Sequence, residues 1–320
     1  MSTPRPKLEQ FSGQSALIVS SAGGHLEQAT RWAQLLDLEK SRSMFVSSPG
    51  AQLAAVGQSW EVAALPYVAP RAALKIASLV IPLVRIGVQV RPDFVLSTGA
   101  GVSIAAYLAA KRLRVPFVFI ESISRVGGPS LSGRILVKIP DAHCFSQYDY
   151  DGNWRRAPNL LGSFRSQRLN TSFANRPLKI FVSLGTIKPY RFDSLVDAVL
   201  RVVSDQDEVT WQTGCTTRPD LPGRVNESLP RSEMEELIAG ADVVITHAGV
   251  GTLLTCLEFG KFPVMGVRAK ARSEHVDDHQ SQIAEFLSER RLGTVIDERF
   301  RRADLLQASQ FSIEENGDVL

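Results

Sequence analysis

Residues 241–280 hold the densest set of side chains able to do chemistry. A strand pattern over residues 242–246 runs into His247-Ala248-Gly249-Val250-Gly251-Thr252, and an apolar helical run follows. Gly249 and Gly251 leave the backbone bare at a helix start, where free N–H groups and the helix dipole favour a phosphate. A second glycine turn, Ser183-Leu184-Gly185-Thr186, ends another strand pattern and offers N–H and hydroxyl donors suited to a diphosphate. Near the beginning, Ser21-Ala22-Gly23-Gly24-His25 lies where a strand becomes a helix. Gly23 and Gly24 let another molecule approach the backbone there. His25 projects from the helix start with a near-neutral pKa suited to taking a proton; by residue type alone a histidine that caps the turn with no catalytic part is the better reading. Glu121 closes a strand as a candidate base or orienter of one, or as the partner of Arg125 in a helix-face ion pair. His275 and His279 are four apart with Asp278 adjacent, but position 276 is Val and no third ligand is at hand, so zinc is not expected.

These stretches need a scaffold that brings strand ends together. At 320 residues and 44% hydrophobic content the chain can bury a sizeable core, and the length suits two domains. Short apolar runs at 16–20, 43–47, 61–65, 93–97, 116–120 and 141–147 alternate with helical patterns such as 26–36, several of them opening on small residues, as Thr98-Gly99-Ala100-Gly101 does. The alternation lapses between 148 and 177, where Pro158, Gly162 and Pro177 punctuate a polar stretch. It resumes at 178–184, with a helix over 191–203, a strand at 208–212, a helix from 232, a strand at 293–297 and a last helix over 301–311. Repeated strand, glycine turn and helix imply an α/β protein with parallel sheets covered on both faces. The expected domains are residues 1–160 and 161–320.

Charge divides unevenly. Residues 1–175 hold 19 Lys+Arg against 10 Asp+Glu and the remainder 17 against 23, so a net +3 conceals halves of +9 and −6. A basic first half suits an anionic diphosphate or an acidic membrane surface, and an acidic second half argues against nucleic acid as the partner of the chain. Residues 73–90, ringed by Arg71, Lys75, Arg85 and Arg91, read either as an interfacial amphipathic helix or as a core helix; Pro82 and Arg85 make them too interrupted to span a bilayer. Residues 1–13 lack an apolar signal-peptide core. Three widely spaced cysteines fit reduced thiols in a cytosolic protein.

The 241–280 stretch resembles the donor-nucleotide half of GT-B glycosyltransferases, specifically family 28 and the catalytic subunit of the eukaryotic enzyme that adds the second N-acetylglucosamine to dolichol diphosphate. The wording Glu274-His275-Val276-Asp277-Asp278-His279-Gln280 is similar to that of bacterial exopolysaccharide and capsule enzymes. Ser21 to His25, Glu121-Ser122-Ile123-Ser124-Arg125-Val126 and Leu161-Gly162 resemble family 28 or the membrane-recruiting partner subunit of the dolichol pathway. Over residues 15–295 the chain looks like both subunits fused head to tail.

The resemblance implies a GT-B fold of two facing Rossmann-like domains and an inverting transfer from a UDP-sugar to a polyprenyl-diphosphate-linked acceptor in exopolysaccharide or capsule synthesis, at the cytoplasmic membrane face. The donor side is then Gly185, Thr186, His247, Gly249, Gly251 and Thr252, with Asp278, His279 and Gln280 on the sugar hydroxyls. Where many relatives place a ribose-binding Glu this chain has Thr255, and Glu258 is the candidate substitute. The acceptor side is Gly23, Gly24, Thr98, Gly99 and Arg125, with His25 and Glu121 catalytic. No metal or other cofactor is expected, because helix dipoles and backbone donors neutralise the leaving diphosphate. Arg268, Lys270 and Arg272 lead into the sugar contacts and suit a carboxylate, which favours glucuronate over galactose or N-acetylglucosamine. The alternatives are a UDP-sugar 2-epimerase and a non-catalytic sugar-nucleotide-binding subunit; a homo-oligomer is compatible with the sequence.

Overall fold

A computed structural model describes residues 7–68, 72–170, 176–186, 188–274 and 279–316. The chain parts into two compact units at Leu160 and Leu161.

In the first unit, strand and helix alternate as β1 (Ala16–Val19), α1 (Gly24–Leu35), β2 (Met44–Ser47), α2 (Ala51–Val56), β3 (Glu61–Ala64), α3 (Ala73–Ser78), α4 (Val80–Val90), β4 (Phe94–Ser97), α5 (Val102–Leu113), β5 (Phe117–Ile120), α6 (Leu131–Leu136), β6 (Ala142–Ser146) and β7 (Arg155–Arg156). The sheet runs β3-β2-β1-β4-β5-β6-β7 with every pairing parallel. Strands β1, β4 and β5 are buried at every position, as expected of strands covered on both faces. Leu17, Val19, Val95, Phe117 and Phe119 pack on one side against the alanine-rich face of α5.

The second unit repeats the winding: β8 (Phe164–Arg168), β9 (Lys179–Ser183), α7 (Asp193–Leu200), β10 (Glu208–Gln212), β11 (Arg224–Asn226), α8 (Arg231–Gly240), β12 (Val243–His247), α9 (Val250–Glu258), β13 (Pro263–Gly266), α10 (His279–Glu289), β14 (Thr294–Val295), α11 (Arg302–Ala308) and β15 (Phe311–Glu315). Its parallel sheet runs β11-β10-β9-β12-β13-β14. Both units are therefore doubly wound, Rossmann-like sheets, and in each the direction of winding reverses beside the first strand: between β1 and β4, and between β9 and β12. Crevices open beyond the strand C-termini at such switch points.

Three elements differ from the sequence reading. The run at 73–90 is two helices that meet at Leu79. Pro82 cannot donate to residue 78 and its ring crowds that carbonyl, but it fits the first turn of a fresh helix. The polar stretch at 148–177 contains β7 and β8, and the last helix gives way to β15, which pairs antiparallel with β8 from Phe311↔Arg168 to Glu315↔Phe164. Isolated, half-exposed strands such as FRSQR show no burial alternation, so only the long-range partner defines them.

Candidate functional site

Each switch point holds a histidine against glycine backbone. In the first unit Gly23, at φ +88, precedes α1 as its N-cap, and its N–H donates to Gln52 Oε1 at 2.6 Å. His25 follows in the first turn of α1. Its Nδ1 lies 3.0 Å from the carbonyl oxygen of Thr98, at the end of β4, while Thr98 Oγ1 donates to the carbonyl of His25 at 2.7 Å. A carbonyl only accepts, so Nδ1 carries the proton and the neutral ring presents Nε2 as a base. Gly99 has φ +136, and a Cβ there would stand 2.5 Å from His25 Cε1. The glycine is required both by its backbone angle and by the imidazole lying over it.

His25 keeps part of its surface exposed, yet burial of the ring lowers its pKa below the usual histidine value. The Thr98 carbonyl opposes that shift and the positive charge of Arg125 adds to it. The ring is thus held neutral where a proton acceptor is needed.

Glu121 is placed differently from the expectation of a catalytic carboxylate. It is 1% exposed, and residues 121–125 form a turn rather than a helix, so no helix-face pair with Arg125 exists. Its Oε2 accepts from Ser130 N and Ser130 Oγ, both at 2.8 Å, and its Oε1 from Ser122 N at 3.0 Å. Burial raises its pKa, while these donors and the charge of Arg125 pull it down. A carboxylate closed in this way holds the 121–133 segment in shape. Gln28 bridges the same segment to α1, donating to Gly24 O and Ser122 Oγ and accepting from Ile123 N. Glu121→Ala leaves three donors without an acceptor in the interior and is expected to cost about 3 kcal/mol of stability. Glu121→Gln keeps an acceptor oxygen, and its kcat should stay within about tenfold of wild type, short of the loss of a general base. Denaturant melts with steady-state rates on both variants check this.

Thr98 is 1% exposed and its hydroxyl donates to the carbonyl of His25. The hydroxyls of Ser20 and Ser47, just past β1 and at the end of β2, are buried without hydrogen-bond partners among the described residues. Sequence reading passed over Gln28, Gln52 and these serines because nothing local distinguishes them.

In the second unit His247 ends β12. A Cβ at Gly185 would lie 2.8 Å from His247 Nε2, and one at Gly249 would lie 2.1 Å away. The imidazole therefore sits between the turn after β9 and the start of α9. Gly185 has φ +81, so its turn needs glycine twice over. Gly249 is the N-cap of α9, with no side-chain cap. The first-turn N–H groups of Val250, Gly251 and Thr252 have no intrahelical acceptor by construction, and the helix dipole adds to their attraction for an anion. Gly214, after β10, was overlooked from sequence: it has φ +59, and a Cβ there would stand 2.2 Å from Gly185 O.

Other donor-side expectations fare unequally. Thr255 is buried with its hydroxyl donating to Gly251 O. Glu258 is exposed at the last position of α9, about 12 Å of helix rise from the first turn. Helix geometry thus separates it from Gly249, Gly251 and Thr252. His275, Asp278 and the side chain of His279 lie outside the described residues; Gln280 stands in the first turn of α10. Lys270 of the basic loop is exposed, and the two arginines have partners within the protein. Arg268 is 1% exposed and bonds to backbone carbonyls, and Arg272 pairs with Glu274 at 2.9 Å.

Two doubly wound sheets, each presenting a histidine and a bare helix N-terminus at its switch point, define an α/β architecture of the GT-B kind. Residues 180–298 match the glycosyltransferase family 28 C-terminal domain, and the chain is a family 28-like GT-B glycosyltransferase. A UDP-N-acetylglucosamine–N-acetylmuramyl-(pentapeptide) pyrophosphoryl-undecaprenol N-acetylglucosamine transferase of Lawsonia intracellularis is 24% identical over 306 residues, 85% of this chain and 80% of that protein. The protein of the same name from Cupriavidus pinatubonensis is 26% identical over 231 residues, 68% of this chain and 62% of its own. Among solved structures, MurG of Acinetobacter baumannii shares the fold with a TM-score of 0.54 at 19% identity, across 92% of this chain and 89% of that one.

Proposed function

We propose that this enzyme moves N-acetylglucosamine from its UDP-sugar to a polyprenyl-diphosphate-linked acceptor, with inversion. The observation that carries the reading is the pair of histidine-bearing switch points, one of them inside the family 28 match. The second unit takes the donor: Gly185, Thr186, His247, Gly249, Gly251 and Thr252 surround the start of α9, whose N–H groups suit the diphosphate. The first unit takes the acceptor, by way of Gly23, Gly24, Gly99 and Arg125. His25 Nε2 removes the proton from the acceptor hydroxyl as that oxygen bonds to the anomeric carbon, and the bond to UDP breaks with its electron pair leaving on the diphosphate. The reaction so written invokes no metal or further cofactor.

N-acetylglucosamine replaces glucuronate as the preferred donor. The two relatives reported above are named as N-acetylglucosamine transferases, and the charge argument for a carboxylate is weakened because Arg268 is enclosed and Arg272 pairs with Glu274, which leaves the exposed Lys270. The exopolysaccharide or capsule setting rests only on the wording of residues 274–280. In the decisive assay the full chain is incubated with UDP-N-acetylglucosamine, UDP-glucuronate and UDP-galactose, each with and without a lipid-diphosphate-linked sugar. Acceptor-dependent gain of one N-acetylhexosamine in product mass is expected. Turnover of UDP-sugar into an isomer without acceptor would instead make it an epimerase, and UDP binding without turnover would make it a binding subunit.

A peripheral place on the inner membrane face belongs to the same reading. No helix among the described residues is long and apolar enough to cross a membrane. Helices α3 and α4 nonetheless bear Leu74 (89% exposed), Ile81 (63%) and Val88 (61%), with Lys75 and Arg85 exposed beside them. Leu79, Leu83 and Gly87 of the same segment are buried in the core. The helix pair so combines both roles considered from sequence, apolar contact inward and an apolar, basic-edged surface outward. Ile81→Glu with Val88→Glu should abolish co-sedimentation with anionic liposomes and leave the melting temperature unchanged; undiminished sedimentation would remove membrane contact from the reading.

A further inference from the structure

Among the described residues of the second unit, the most deeply buried cation is Arg268, just past β13. Its Nη2 donates to Leu184 O at 2.6 Å, and its Nη1 lies 3.0 Å from Tyr190 O, 3.2 Å from Arg191 O and 2.8 Å from Glu274 O. The guanidinium stacks 4.5 Å over the ring of Phe192. Glu274 answers Arg272 Nε and Ala269 N with its carboxylate, so Arg268 meets it only through its backbone carbonyl. A buried charge is costly unless fully hydrogen-bonded. Here carbonyls on two segments far apart in sequence, at residues 184, 190 and 191 and at residue 274, accept from both Nη atoms, while Nε is buried without a hydrogen-bond partner among the described residues.

Those segments border the proposed donor site. Leu184 O belongs to the same peptide group as the N–H of Gly185, the turn against His247. A charge-assisted bond of 2.6 Å to that carbonyl polarises the peptide and strengthens its N–H as a donor. The other segment leads to residues 278–280, assigned to the sugar. We propose that Arg268 is a positioning residue of the donor site: one planar guanidinium sets the 184–191 and 267–274 segments at a fixed separation and sharpens the Gly185 N–H toward the diphosphate. Lysine cannot substitute, because a single ammonium lacks the fork that reaches Leu184 O on one side and the other three carbonyls on the other, and it does not stack flat on Phe192. This inference rests on the second unit being the donor side.

The test uses the full chain with Arg268→Lys and Arg268→Met, with UDP as the probe. Arg268→Lys is expected to stay folded, to keep the acceptor KM within about twofold, and to raise the UDP Kd and donor KM about tenfold or more. Amide exchange by mass spectrometry should quicken in both 184–191 and 267–274. A folded Arg268→Lys with UDP Kd and donor KM within about twofold of wild type would overturn the proposal, as would a loss of active enzyme with donor KM unchanged. If neither variant folds, UDP should slow exchange of both segments together in the wild type, and protection of one alone would overturn it. Wild-type protein that binds no UDP would refute the donor assignment instead, and Arg268 would then be judged on ligand-free exchange of Arg268→Lys, where loosening of only one segment counts against it.

Discussion

His25→Ala is expected to cut kcat by about a hundredfold to ten-thousandfold, the usual cost of a lost general base, while UDP affinity and the fold persist. The imidazole has a fixed tautomer, with Nδ1 on the Thr98 carbonyl and Nε2 left to accept a proton. It belongs to the first unit, whereas the groups assigned to UDP belong to the second, so the substitution separates catalysis from donor binding. The pH dependence follows in sign from the lowered pKa. Activity should rise with pH as the ring loses its proton, and the acid limb of kcat/KM should fall below the usual histidine value of about 6.5. Stability carries the same signature. The unfolded chain binds the proton more readily than the folded one, so this group's contribution is present above about pH 6.5 and is lost as pH falls below it. A pH–rate profile with stopped assays of His25→Ala and His25→Gln checks both, and near wild-type turnover in either variant would move the base elsewhere.

Gly214→Ala carries the second large effect, on the donor side. At φ +59 an alanine is strained, and its Cβ would meet Gly185 O at 2.2 Å and Thr186 Cα at 3.3 Å. Both are backbone atoms, so no rotamer change relieves the contact and the Gly185 turn must move. A destabilisation of about 2 to 4 kcal/mol is expected from strain and overpacking together. UDP affinity should drop by about tenfold or more, because the displaced turn is the one packed against His247. Calorimetric titration with UDP and a denaturant melt of the same sample read the two consequences separately. By contrast, Gly152→Ala meets nothing within 4 Å and, despite its φ of +101, should leave UDP affinity unchanged, serving as the strained-glycine control.

The α/β class, the alternation of strand, glycine turn and helix, and the two histidines that lie against glycine turns at the switch points are all legible in the sequence alone. Those features are local: the period of apolar residues sets the element, and glycine at a strand exit marks where backbone must turn sharply or another group must come close. His25 and His247 could be singled out because each stands beside such a turn. Even the break at Leu79 is written in Pro82.

The surroundings of a polar side chain emerge only once the sheets are assembled, because its partners come from elsewhere in the chain. Glu121 and Arg268 read as ionisable groups available to substrate, and each proves to be enclosed. The donors that close Glu121 come from Ser122 and from Ser130, nine residues on. The acceptors that hold Arg268 come from residues 184, 190, 191 and 274. The pairing of β8 with β15 joins residues 164–168 to 311–315, a closure no local pattern announces. Burial and hydrogen-bond satisfaction are properties of the assembled sheet, because a charged side chain enters the interior only where distant backbone supplies its partners.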